Sequence, residues 1–321
     1  MNNIMVFGGG SHPQLTHDIC KIMSLSPGKT LTTRFSDGET RVIIEDSARG
    51  KDVFIIQPTC APVNDTFMEL FIMADAFKRA SARTITAVMP YFGYARQDKK
   101  VKPREPITAR MVCDFLKATG VNRIMAIDIH AEQIQGFFDG PFDHLYAGPI
   151  FANALSYVEK TPDDYVIVSP DASGTKRAEN LAKHLNCDFA IITKNRPSPN
   201  AVTPGKLIGN VKGKKCIILD DMLDTCGTIC QAADMLIDAG GVSSMACCTH
   251  PVLSGNGAKK IGESQSIEKI LVLDTIPISP QKLNQLNNKA EILSCADLIA
   301  QSIKLHTRGE SVSSLFSEWR V

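Results

Sequence analysis

Cys216-Ile217-Ile218-Leu219-Asp220-Asp221-Met222-Leu223-Asp224-Thr225-Cys226-Gly227-Thr228 is the stretch that decides the fold. It begins as an apolar run with the brevity and lack of alternation of a strand buried on both faces. Two carboxylates follow, then a short loop, then Gly227–Ala239. There Ile229, Ala232, Ala233, Leu236 and Ile237 recur at helical spacing, and Gly240-Gly241 ends the run. Small and hydroxylated residues at a helix start leave backbone N–H groups unpaired and pointing outward. Helped by the helix dipole, those groups cradle phosphate. Thr225 and Thr228 add hydroxyls, and Gly227 allows close backbone approach. Asp220 and Asp221 suit the hydroxyls of an attached sugar. The plainer alternative is a capped helix behind two solvated acids.

The same strand–helix order repeats along the chain. Candidate strands are Ile4–Phe7, Val53–Gln57, Ile85–Met89 and Arg123–Ile127, then Tyr165–Val168, Phe189–Thr193, Lys215–Leu219, Ser244–Cys248 and Lys269–Leu273. Helical stripes lie between them. Val63–Ser81 carries Phe67, Leu70, Phe71, Ala74 and Phe77, with Asn64 and Asp65 available at its start; Ile107–Thr119 carries Met111, Val112, Phe115 and Leu116. Strand–helix alternation predicts α/β architecture, with mostly parallel sheets flanked by helices. The series breaks at the Gly- and Pro-punctuated stretch Asp139–Pro149. Two domains are expected, 1–146 and 147–321, with the last helix and tail packing back on the first. Ligands of such sheets bind at the carboxyl ends of strands.

Composition narrows the classes. The 321 residues hold 35 Lys+Arg against 34 Asp+Glu, a net charge of +1, and 44% are hydrophobic. A disordered chain is poorer in apolar residues, and a general nucleic-acid binder carries a basic excess. The uncharged stretch Ala239–Ala258 is too polar to cross a membrane, and Met1–Met5 does not read as a secretory signal. Ten scattered cysteines read as reduced thiols of a cytoplasmic protein. Two commoner nucleotide loops fail: Met23 stands where a Walker A motif ending at Gly28-Lys29-Thr30 needs its first Gly, and Pro13 where a dinucleotide fingerprint starting at Gly8 needs its third.

Other segments carry chemistry. Phe35-Ser36-Asp37-Gly38-Glu39-Thr40 reads as a turn. Tyr94-Ala95-Arg96-Gln97-Asp98-Lys99-Lys100 concentrates cationic and amide groups after a strand, though a solvated charge run has the same composition. In Asp128-Ile129-His130-Ala131-Glu132 a histidine is flanked by two acids at a strand end, which suits metal or phosphate contact as well as a structural role. Ser169-Pro170-Asp171-Ala172-Ser173-Gly174 repeats that layout, and Asp171 is a hard oxygen ligand suited to Mg²⁺.

Taken in order, these segments resemble the ribose-phosphate pyrophosphokinases (phosphoribosyl-diphosphate synthetases) of the phosphate-activated class I type over nearly the whole length. Matching stretches also include His130-Ala131-Glu132-Gln133-Ile134-Gln135-Gly136-Phe137-Phe138 and the terminal Gly309-Glu310-Ser311-Val312-Ser313-Ser314-Leu315-Phe316. The resemblance implies two tandem phosphoribosyltransferase-like, Rossmann-like domains and Mg²⁺-dependent transfer of a diphosphoryl group from ATP to ribose 5-phosphate, feeding nucleotide biosynthesis. It implies that Phe35, Asp37, Gly38, Glu39, Arg96 and Gln97 bind ATP, and that His130 and Asp171 serve metal, His130 by way of the nucleotide phosphates. Ribose 5-phosphate falls to Asp220, Asp221, Asp224, Thr225, Cys226, Gly227, Thr228 and Arg196. Lys194 and Arg196 are the implied catalytic residues, on a mobile segment Lys194–Gly209 where Pro197, Pro199 and Pro204 argue against a helix or a central strand. A homo-oligomer (hexamer built from dimers) is implied, with inorganic phosphate and ADP as regulators near Ser47, Arg49 and Ser311–Ser314, and no nucleic acid or membrane as partner.

Some residues depart from the family pattern. Ser173 stands where Gly is usual, the 194–201 segment has unusual prolines and Ala201, and Val101–Glu105 differs as well. Two other readings remain open, a non-catalytic paralogue that regulates a synthetase and a phosphoribosyltransferase that consumes the activated sugar. The latter class usually has one such domain.

Overall fold

The computed structural model describes residues 3–198, 201–317 and 319. The chain divides into two compact units, 1–145 with 295–315, and 146–294 with 316–321.

The first unit opens with β1 (Ile4–Gly8) and α1 (Pro13–Met23), followed by a two-stranded antiparallel hairpin, β2 (Thr30–Arg34) and β3 (Thr40–Ile44). Then come β4 (Asp52–Ile56), α2 (Val63–Arg79), β5 (Thr84–Met89), α3 (Thr108–Thr119), β6 (Arg123–Ile127) and β7 (Phe142–Leu145). Among the described residues the main sheet has five strands in the order β1-β4-β5-β6-β7, all parallel. Val53–Ile56, Ile85–Met89 and Ile124–Ile127 are buried throughout, as strands covered by helices on both faces must be. On one face of the sheet, Val53, Ile55, Ile85, Ala87, Met89, Ile124 and Ala126 share an apolar core with Phe7, Leu70, Ala74 and Phe77.

The second unit contains α4 (Gly148–Ala154), β8 (Tyr165–Ser169), α5 (Thr175–Leu185), β9 (Asp188–Ser198), β10 (Ala201–Ile208), β11 (Lys215–Met222) and α6 (Gly227–Asp238). It continues through β12 (Ser243–His250), α7 (Gly257–Glu263), β13 (Ile267–Leu273), α8 (Pro280–Gln285) and β14 (Ala290–Leu293). Its described strands form one sheet in the order β10-β9-β8-β11-β12-β13-β14. Every pairing is parallel except β9 with β10. The last helix, α9 (Ala296–Thr307), belongs to the first unit, where it packs on α1 and Lys304 Nζ donates to the carbonyl of Ile22.

The expected fold class is present, and several local expectations change. The prolines of 194–209 do exclude a helix and a central strand, yet the backbone is not irregular: β9 and β10 pair as a ribbon at the sheet edge, with register shifts on either side of Thr203–Pro204. An edge strand has a side that need not donate, so Pro204 is tolerated there. Pro199 and Asn200 lie outside the described residues. On α3 the stripe splits. Val112 and Leu116 are buried with Ala109 and Cys113, while Met111 and Phe115 are 44% and 49% exposed. Adjacent positions on a helix are rotated by about 100°, so Met111 and Val112 cannot share the centre of one face. Asn64 and Asp65 do not cap α2, whose cap position is Pro62. Their side chains instead reach Tyr94 Oη and Arg34. All ten cysteines are free thiols.

Candidate functional site

In the second unit the strand order reverses around β8, which lies between β9 and β11. A crevice opens where successive connections leave in opposite directions, outside the carboxyl ends of the two strands. β8 and β11 run in parallel register through Val168 and Ile218. The loop bearing Asp171 and the acids Asp220 and Asp221 therefore emerge side by side.

Asp171 is held by its own loop. Its Oδ1 accepts from the backbone N–H of Ser173 at 2.8 Å, the backbone N–H of Gly174 at 3.0 Å and the hydroxyl of Ser173 at 2.5 Å. Ser173, the departure from the family pattern, does not adopt a positive φ, so its side chain is accommodated without backbone strain. Asp220 accepts from the backbone N–H of Asp221 at 2.8 Å. Burial holds the Asp220 carboxyl well above the usual carboxylate range, and the adjacent Asp221 carboxylate pushes it further, with Asp171 contributing. Acids that repel one another at a strand end form a strong field for a cation.

Beyond these acids the chain turns into α6. Cys226, at the cap position, has φ +59° and makes no side-chain cap bond. Its thiol is buried and donates to the carbonyl of Asp224 at 3.5 Å; burial pushes its pKa up to about 12. Cys226 thus offers a ligand its backbone, not a thiolate. Thr225 and Thr228 are exposed beside it. The loop is fixed from behind: Leu223 N–H donates to His250, and Leu253 N–H donates to Leu223 at 2.7 Å. α7 then packs so closely that a Cβ on Gly257 would stand 2.4 Å from the Asp224 carbonyl. From the same helix Lys260 Nζ donates to the carbonyl of Thr225 at 3.2 Å. Sequence reasoning did not find Lys260, which is 35 positions from Thr225 with no motif around it.

The first unit presents its candidates differently. Phe35–Glu39 form the exposed turn of the β2–β3 hairpin, where Phe35 N–H donates to Glu39 O at 2.9 Å and Gly38 N–H to Phe35 O at 3.0 Å. Gly38 takes φ +95°, a conformation that favours glycine. Arg34 braces the turn, donating to the carbonyl of Gly38 at 3.0 Å and pairing with Asp65 on α2 at 2.6 Å. Phe35 is 50% exposed, under the guanidinium of Arg41 at 5.7 Å. Arg96 and Gln97 are exposed on the loop after β5; Gln97 accepts from Thr108 Oγ1, and its carbonyl from Ala109 N–H at 3.2 Å. The start of this loop is held by Thr59, whose hydroxyl accepts from Gly93 N–H at 2.8 Å and donates to Tyr91 O. His130 is exposed at the end of β6, behind the buried Asp128, which has φ +38°.

Gly8-Gly9-Gly10 is occupied by protein. Gly10 N–H donates to Glu69 Oε1 at 2.7 Å, the Ser11 hydroxyl to Gln57 Oε1 at 2.7 Å, and a Cβ on Gly9 would sit 2.1 Å from that same oxygen. These glycines admit Gln57 and Glu69, not a dinucleotide.

Among the described residues no three His, Cys, Asp or Glu side chains converge on a metal-sized site. Mg²⁺ does not need such a cage, because one or two carboxylates with substrate phosphates suffice. Asp171 and Asp220, hard oxygen donors at adjacent strand ends with Asp171 adding to the field on Asp220, fit that mode. His130 is in the first unit and Asp171 in the second. The side chains of Lys194 and Arg196 lie outside the described residues; on the backbone, Lys194 is opposite Pro204 in the ribbon.

Residues 4–120 match the model for the N-terminal domain of ribose phosphate pyrophosphokinase, and residues 192–317 match the phosphoribosyl synthetase-associated domain. The ribose-phosphate pyrophosphokinase of Burkholderia pseudomallei is 48% identical over 318 residues, covering 99% of this chain and 98% of that protein. The enzyme of the same name from Bordetella parapertussis is 48% identical over 98% of this chain and all of its own. The crystal structure of phosphoribosylpyrophosphate synthetase from Mycobacterium smegmatis superposes with a TM-score of 0.88 at 38% identity, over 96% of this chain and 99% of that one. Two acids at a strand-order reversal with a loop that opens a helix beyond them, and likeness at this level along both units, place the chain in the ribose-phosphate pyrophosphokinase family.

Proposed function

We propose that this chain transfers the terminal diphosphoryl group of ATP to the 1-hydroxyl of ribose 5-phosphate, forming 5-phospho-α-D-ribose 1-diphosphate and AMP. The observation that carries this reading is the meeting of Asp171, Asp220 and the Asp224–Thr228 loop at the reversal of strand order. It puts acids for sugar hydroxyls and metal beside a helix N-terminus for the 5-phosphate.

The sugar oxygen attacks the β-phosphorus in line. A bond from O1 to that phosphorus forms, the bond from the β-phosphorus to the oxygen bridging it to the α-phosphorus breaks, and AMP leaves with that oxygen. The 1-hydroxyl gives up its proton. Such a reaction asks the protein for alignment and charge stabilisation more than for covalent chemistry. Asp220 and Asp221 orient the ribose through its hydroxyls, and Asp224, Thr225, Cys226, Gly227 and Thr228 anchor the 5-phosphate. Phe35, Asp37, Gly38 and Glu39 hold the adenine side of ATP, and Arg96 and Gln97 contact the nucleotide. Lys194 and Arg196 counter charge on the phosphoryl oxygens in the transition state, Arg196 also facing the sugar phosphate. Asp171 would hold Mg²⁺, with His130 acting by way of the nucleotide phosphates; the ion supplies further neutralisation of phosphate charge.

The same reading extends to two domains divided near residue 146, a cytoplasmic homo-oligomer of dimers assembled as a hexamer, and activation by inorganic phosphate with inhibition by ADP. Ser47, Arg49 and Ser311–Ser314 are the residues proposed for that regulation, and nucleotide biosynthesis is the use of the product. No described helix is long and apolar enough to cross a membrane. Incubation of the purified protein with ATP, Mg²⁺ and ribose 5-phosphate tests the proposal: AMP should form only when the sugar is present. Absence of AMP, with altered activity of an added synthetase, would instead support the regulatory paralogue.

A further inference from the structure

The segment Asp220–Thr228 contains three carboxylates and no basic residue. A sugar phosphate carries about two negative charges near neutral pH, and backbone N–H groups with a helix dipole offset only part of that beside so many acids. Beyond Arg196, proposed on the ribbon, the loop calls for a further cation from the same unit. α7 supplies one. Gly257 and Ala258, both buried, seat the helix against the loop, where a Cβ on Gly257 would also approach Cys226 Sγ to 3.3 Å. Lys259 points along its own helix to Glu263 at 3.7 Å, whereas Lys260 reaches off the helix to the loop. Its Nζ lies 3.2 Å from the Thr225 carbonyl and 3.7 Å from where a Cβ of Gly227 would stand. Nearby Lys289 is engaged by two carbonyls, those of Ile261 and Ser264.

We infer that Lys260 is a binding residue for the 5-phosphate of the sugar substrate, providing the positive charge that the loop itself lacks. The inference rests on the reading that the Asp224–Thr228 loop takes ribose 5-phosphate. The ammonium has three donors and gives one to Thr225 O, so it holds the loop and faces the anion from the same position. The ammonium stands at ordinary contact distance from where a Cβ of Gly227 would lie, so it is beside the start of α6.

Lys260→Gln separates charge from loop support, because the amide still donates to the Thr225 carbonyl. Steady-state rates with varied ribose 5-phosphate, together with calorimetric titration of ribose 5-phosphate into the full-length protein, are the measurements. The KM and Kd for the sugar phosphate should rise about tenfold or more, the weight of one hydrogen bond to a charged group. The KM for ATP should stay within about twofold, since RT ln 2 is below the worth of any specific contact. Lys260→Arg should recover most of the affinity. If Lys260→Gln binds the sugar phosphate as wild type does while wild type makes sugar-dependent AMP, the inference is wrong and the reading of the loop survives. If wild type makes no sugar-dependent AMP and binds no ribose 5-phosphate, both fall.

Discussion

The two sheets handle their carboxyl edges in opposite ways. In the first, each strand from β4 onward is added beside the previous one, so no reversal opens a crevice. Its glycine loop is filled by Gln57 and Glu69, and its candidate ligand groups stand outward on a hairpin turn and on loops. In the second, the order reverses at β8, and burial there, followed by the neighbouring Asp221 carboxylate, raises the pKa of Asp220. At the first edge the glycine loop is filled by Gln57 and Glu69, while at the second, carboxyl groups gather at adjacent strand ends. Ligand-binding capacity in this fold follows from strand order as much as from residue type.

The sharpest way to break the contrast is at the ribbon of the second unit. Lys194→Ala should lower kcat by about 10²–10³-fold, the usual cost of losing a donor that acts in the transition state. The KM for ATP should change little, because the residues proposed to contact the nucleotide belong to the first unit. Turnover near that of wild type in a stopped assay of AMP would remove Lys194 from catalysis.

Next comes the crowded edge itself. Asp220→Asn should lower kcat/KM for ribose 5-phosphate by up to about tenfold through loss of the carboxyl proposed to orient the sugar hydroxyls. The same change should raise the thermal midpoint of the protein without ligands, by roughly 2–4 °C for each kcal/mol of repulsion relieved in a chain of this size. The pH sign follows from linkage. A carboxyl whose folded pKa is raised keeps its proton in the fold where the unfolded chain has lost it, so stability falls as pH rises from the ordinary carboxylate range through the raised value. Asp220→Asn should flatten that slope in thermal scans across pH. A slope identical to wild type would mean that Asp220 is not under strain.

A smaller effect is expected at Ser173. Its hydroxyl donates to Asp171 Oδ1 alongside the backbone N–H groups of Ser173 and Gly174. Loss of a bond that orients a metal ligand typically weakens metal binding by about tenfold or more. Two backbone donors remain in Ser173→Ala, so the shift in Mn²⁺ affinity, read by spin resonance, should fall at or below the low end of that range. Ser173→Thr should stay close to wild type.

The smallest lies in the first unit. Arg34→Ala removes an ion pair whose two side chains are 52% and 44% exposed, so stability should fall by no more than about 1 kcal/mol in urea titration. The loss of the Arg34 bond to Gly38 O should loosen the turn and raise the KM for ATP modestly. A large loss of stability would show that the hairpin is more than an exposed appendage.

What the sequence reveals follows the same contrast. β4, β5, β6, β8, β11 and β12 are legible because burial on both faces demands unbroken apolar runs. β2, with Leu31 between threonines and exposed over four of its five residues, carries no such signal and reads only through its turn. β10 contains Pro204 and Gly205 and exists as a strand because β9 offers it an edge. The site is readable where it is contiguous, from Asp220 to Thr228. Lys260 and the bracing of the Gly8–Gly10 loop by Gln57 and Glu69 are products of packing between distant elements. Ser173 is visible as a departure, but its bond to Asp171 needs the loop geometry.

In the proposed reaction this chain moves a diphosphoryl group onto the sugar O1 and leaves the C1–O bond intact. Ribose 5-phosphate labelled with ¹⁸O at the 1-hydroxyl, incubated with ATP and Mg²⁺ and followed by phosphorus resonance, tests it most directly. AMP should be the nucleotide product, with the label retained between C1 and the first phosphorus of the new diphosphate. Release of ADP in place of AMP, or a label appearing in free diphosphate through breakage of the C1–O bond, would contradict it.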